Sequence, residues 1–70
     1  MQRFGEKLRT LRMRRGLSYR QLARMLDSSH SHLLRLETGE HKPSVDLILR
    51  IARLFEVSFD QLMDDNIDLT

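Results

Sequence analysis

SYRQLARMLDSSHSHLLRLETG, Ser18 to Gly39, holds two short apolar-periodic runs only a few residues apart. Leu22, Ala23 and Leu26 share one face of a helix over residues 18–26, opened by Ser18 at the N-cap. Ser29 caps a second helix over residues 29–37, whose Leu33 and Leu36 turn to one side and whose exit is Gly39. Between the two, the chain must reverse within about three residues, and Asp27 takes a left-handed position that glycine would adopt at lower cost. Glu37 is the anomaly. It falls in the last turn, where the carbonyl end of a helix disfavours negative charge by roughly 0.3–1 kcal/mol. Either a partner offsets it, or it is solvated at a frayed helix end.

The flanking sequence continues in helical period, without sustained alternation or low complexity. RFGEKLRTLRMRR sets Phe4, Leu8 and Leu11 on one face and stops at Gly16. Pro43 ends the loop that follows Gly39, and Ser44 caps VDLILRIARLF. There Val45, Ile48, Leu49, Ala52 and Phe55 form one stripe, and Leu47, Ile51 and Leu54 a second, so this helix is expected to be central. Ser58 caps the short FDQLM. The expectation is an all-α, five-helix domain over residues 1–63, followed by a short acidic tail over 64–70 that frays, with Ile67 and Leu69 left over.

Seventy residues bury only about 60% of their unfolded surface, which argues against a large enclosed active site. Cysteine is absent, so neither disulfides nor thiolate metal sites add stability. The sequence has no signal-peptide run and no apolar stretch long enough for a membrane span, and a cytoplasmic location is expected. Charge is unevenly placed. Residues 1–35 carry nine Lys/Arg against two acids, or +7, and residues 36–70 carry three against eight, or −5. A basic half suits a polyanion, although charge alone fits a solvated helix face equally well. Ser, His and Asp are present without a nucleophile elbow or a glycine-rich phosphate loop, so no enzyme activity is expected. His30 and His32 diverge by about 200° on a helix and cannot easily share one ion without a ligand from elsewhere, so no metal site is expected, and no cofactor is implied.

Two short helices joined by a tight turn form the helix-turn-helix pattern, whose second helix enters the major groove of DNA. With Leu33 and Leu36 inward, Ser31, Leu34, Arg35 and Thr38 face away from the core, and His30 and His32 lie on the flanks. Arg35 can clamp guanine O6 and N7, Ser31 can bond to several bases, and Leu34 can meet a thymine methyl. The candidate base contacts are therefore His30, Ser31, Leu34 and Arg35. Plainer readings remain for two of them: Leu34 as a partly buried flank contact and Arg35 as an ordinary surface charge.

From Leu17-Ser18, Gln21-Leu22-Ala23, Ser29, Leu33, Arg35-Leu36-Glu37, Gly39, Pro43-Ser44, Ile51-Ala52 and Val57-Ser58-Phe59-Asp60, residues 4–63 resemble the Xre/Cro phage-repressor helix-turn-helix family. The resemblance implies a lambda-repressor-like domain that binds double-stranded DNA as a homodimer on a palindromic operator, as a transcriptional regulator and most simply a repressor. It implies an ion pair between Arg12 and Glu37, which would answer the Glu37 anomaly. It implies phosphate contacts from Ser18, Tyr19, Arg20, Thr38, His41 and Lys42, with Tyr19 standing where relatives often place glutamine. It also implies pairing around the last helix through Val57, Phe59 and Met63, with Ile67 and Leu69 as additions, although Val57 suits the core better. A rival of another class is a protein-interaction module, such as an antitoxin holding a toxin.

Overall fold

The structure, a computed structural model, describes residues 2–69. Five helices account for the regular structure of these residues: α1 (Phe4–Arg14), α2 (Tyr19–Met25), α3 (His30–Thr38), α4 (Val45–Phe55) and α5 (Phe59–Met63). Four of them start in the same way. The hydroxyls of Ser18, Ser29, Ser44 and Ser58 accept the backbone N–H three residues on, at Gln21, His32, Leu47 and Gln61. Gln21 and Gln61 return the bond to the cap backbone, completing capping boxes.

Three helix ends also share one device. Gly16, Asp27 and Glu56 adopt left-handed φ values of 65°, 54° and 56°. Beyond them the amides of Leu17, Ser28 and Val57 donate to the carbonyls of Arg12, Ala23 and Ala52, the wide bond that closes a Schellman motif. Leu17 and Val57 then pack against the core, as the residue after such a turn commonly does. Ser28 has no apolar group to offer there.

The core is one cluster in which Leu8, Leu22, Leu33, Ile51 and Leu62 are wholly buried, so each helix contributes one anchor. α1 crosses α3 very closely. A Cβ at Gly5 would lie 2.3 Å from the Glu37 carbonyl oxygen and 2.8 Å from that of Leu36.

Two sequence expectations are corrected. α4 is not apolar-covered on all sides: Leu47, Ile48, Ile51, Ala52 and Phe55 are buried, but Val45 and Leu49 are 64% and 43% exposed. Val45 and Leu49 form the outward edge of their stripe, because the other helices cover only the side of α4 centred on Ile48 and Ile51. The acidic tail does not fray through residue 69. The Asp65 carboxylate accepts the backbone amides of Gln2 and Arg3 at 2.9 Å each, capping α1, which has no side-chain cap of its own. Arg3 donates to the Asp65 carbonyl and the Asp68 carboxylate. Lys7, only 1% exposed, extends its ammonium to the carbonyls of Gln61 and Asp64, at 2.6 and 2.8 Å, and to that of Ile67. A basic helix start and a charged tail thus secure each other.

Candidate nucleic-acid interface

α2 and α3 pack across the Asp27–Ser29 turn, which fixes how α3 is presented. Leu33 and Leu36 are buried on its inner side. Ser31, Arg35 and Thr38 are exposed on its outer side and Leu34 is 43% exposed, so no part of the described chain covers that face. His30 is exposed at the first position of α3, and His32 is half-buried on the flank. Ser18 and Arg20 are exposed at the start of α2, and His41 and Lys42 on the loop after α3. Base-facing and phosphate-facing candidates therefore come from three separate stretches, α2, α3 and the loop.

Some candidates have internal partners. The Thr38 hydroxyl donates to the Arg35 carbonyl at 3.2 Å. Tyr19 is half-buried, and the Arg12 guanidinium lies 4.1 Å from its ring centroid, a cation–π contact. The ring thereby supports Arg12 from below. His32 Nδ1 and His41 Nδ1 lie 3.0 Å apart, and Arg35 Nε is 3.4 Å from a Glu40 carboxylate oxygen.

Glu37 is held from α1. Its side chain is 2% exposed and accepts Arg12 Nε at 2.8 Å, with Arg12 Nη2 3.4 Å from the second oxygen. Arg12 Nη1 donates to the Leu17 carbonyl at 2.8 Å. The hydrogen bond that Arg12 donates to Glu37, and secondarily the charge of Glu37, raises the pKa of Arg12 despite partial burial. This one guanidinium joins α1, the start of α2 and the end of α3, which sets the tilt of the exposed face.

The candidates around α5 are divided. Val57 and Met63 are half-buried against the core, as is Leu69, whereas Phe59 and Ile67 are each 38% exposed. Glu40, Lys7, Asp65 and Gly5 were not singled out from sequence. Lys7 had a signal, since it shares the face of Phe4, Leu8 and Leu11 and must therefore meet the core. Gly5, inside a helical run where glycine is unfavourable, also had one.

Residues 3–65 match a family model described as a helix-turn-helix domain. A Thermococcus kodakarensis protein named for HTH-type transcriptional regulation is 35% identical over 60 residues, covering 86% of this chain and 19% of that protein. The HTH-type transcriptional activator BcrR of Enterococcus faecalis is 33% identical over 60 residues, covering 86% and 29%. The chain thus spans less than a third of the length of these two relatives. Among solved structures, the restriction-modification controller protein C.AhdI from Aeromonas hydrophila is similar with a TM-score of 0.78 and 31% identity, covering 87% of this chain and 92% of that one.

Proposed function

The chain belongs to the helix-turn-helix domain family, and from that premise we propose that it is a sequence-specific, DNA-binding transcriptional regulator. α3 enters the major groove, a homodimer engages a palindromic operator, and occupancy of that operator represses transcription. The observation that carries this reading is the uncovered outer face of α3, with Ser31, Leu34 and Arg35 exposed above the buried Leu33 and Leu36. A rigid helix with hydrogen-bonding groups and one apolar group aligned along its free side has the chemistry needed to read base edges. Arg20 and Lys42, exposed on either side of α3 in the chain, suit the phosphate rims. The kinship to proteins named as transcriptional regulators and to a controller protein supports the regulatory part. The exposed Phe59 supports pairing through α5, with the half-buried Val57 and Met63 as further candidates.

Selection of bound duplexes from a random pool tests the reading. Paired half-sites about 34 Å apart are expected from a compact two-fold dimer. Arg35→Ala should relax preference at one base position, whereas Lys42→Ala should weaken all duplexes alike and reduce the salt slope by about 1. Absence of any selected sequence, together with salt-independent binding, would instead favour the protein-interaction role.

A further inference from the structure

The loop that leaves α3 folds back along one flank of the helix. Gly39, with φ of 88°, turns the chain, and the His41 amide donates to the Arg35 carbonyl at 3.2 Å. Two side-chain contacts then bridge the same gap, His32 to His41 at 3.0 Å and Arg35 to Glu40 at 3.4 Å. His32 and Arg35 stand about 60° apart around the helix axis, so one loop reaches both. Glu40 is thus held beside Arg35 by the backbone on one side and by the histidine pair on the other.

The edge of the guanidinium that Glu40 meets is informative. Its oxygen lies at Nε, the end nearest the aliphatic stem. Guanine O6 and N7 accept two parallel N–H bonds, and an ion-pair contact along the Nε edge leaves the two Nη groups directed away from the stem for that purpose. We propose that Glu40 is a positioning residue for base recognition, holding the Arg35 guanidinium so that its outer edge meets guanine. This rests on the assignment of Arg35 as a base-reading residue. In the free protein the two side chains are 53% and 67% exposed, and such a pair adds little to folding. Within a complex, water is displaced from the groove and the same pair strengthens as the local dielectric falls. Glu40 also places a negative charge near phosphates, so it lowers affinity for every duplex while raising discrimination at one base pair.

That opposition defines the test, made on the full chain. Affinities of the wild type, Glu40→Ala, Glu40→Gln and Arg35→Ala are measured on the selected operator, on the operator with the Arg35-dependent base pair replaced, and on a random duplex. Both Glu40 variants remove the same charge and should tighten binding to the random duplex alike. Glu40→Ala should also lower the operator-to-replaced ratio by about three- to tenfold, part of the discrimination of a bidentate clamp. Glu40→Gln keeps an acceptor for Nε and should lose less. An unchanged ratio in Glu40→Ala, or equal loss in both variants, overturns the positioning role while leaving the reading of Arg35 intact. An unchanged ratio in Arg35→Ala removes that reading, and this inference falls with it.

Discussion

Glu37 shows how a locally unfavourable residue becomes a fastening. Alone, a carboxylate in the last turn of α3 opposes the helix dipole. Paired with Arg12 it links α3 to α1, and the guanidinium is also bonded to the Leu17 carbonyl and stacked on Tyr19. Because the Glu37 side chain is 2% exposed and that of Arg12 12%, removal of either partner strands a charge in a poorly solvated place. Arg12→Ala or Glu37→Gln should cost about 3–5 kcal/mol in denaturant unfolding, whereas Arg12→Met with Glu37→Leu should cost much less. A double variant as unstable as the singles would contradict this account. Arg12→Lys should behave as a loss, since one ammonium cannot serve the carboxylate and the Leu17 carbonyl in the same plane. The anomaly at Glu37 was visible in sequence, because helix electrostatics requires an answer there. Which cation answers it was suggested only by resemblance, since Arg9, Arg12, Arg14 and Arg15 are alike to any local rule.

The helices were legible because each carries its own start and stop. Four serine caps and the left-handed exits at Gly16, Asp27 and Gly39 are written within a few residues of where they act. α1 is the exception. Its cap, Asp65, lies more than sixty residues away, and no local pattern announces it. The two amide hydrogen bonds lower the Asp65 pKa to about 2. Its folded value therefore lies below its unfolded value, so the stabilisation is complete above about pH 4 and is lost as pH falls through about 2. The stability difference between wild type and Asp65→Asn should be constant at neutral pH and close between these limits. A carboxyl NMR titration of Asp65 with its midpoint near 4 would contradict the cap. The α2–α3 turn has a different weakness, since Asp27 holds φ of 54° without the apolar follower that Leu17 and Val57 provide elsewhere. Asp27→Gly should raise stability by about 1 kcal/mol, read as a shift in denaturation midpoint at unchanged slope.

Across the whole molecule, periodicity foresaw the buried core well but overfilled α4, because it cannot tell how many sides of a helix have neighbours. Val45 and Leu49 fit an inward stripe by spacing, yet a domain of five short helices leaves one side of α4 bare. The ordered tail escapes the sequence for a related reason: its charges suggest solvation, and only the folded chain brings Arg3 and Lys7 to it. Pairing between copies likewise needs an apolar residue that the fold leaves exposed. Phe59 offers the cleanest test among the α5 candidates, because Val57 and Met63 also serve the core and their loss would confuse assembly with folding. Phe59→Lys keeps the N-cap hydroxyl of Ser58 and its bond from Gln61, so α5 should still form. If α5 is the seam, this variant should sediment as a monomer at concentrations where the wild type is paired. It should also bind a single half-site with nearly wild-type affinity while losing most of the advantage of the full palindrome, since only the link between two modules is cut. Equal sedimentation of the two proteins, with the palindrome's advantage retained, would move the seam away from Phe59 and make the bare Val45–Leu49 side of α4 the next surface to mutate.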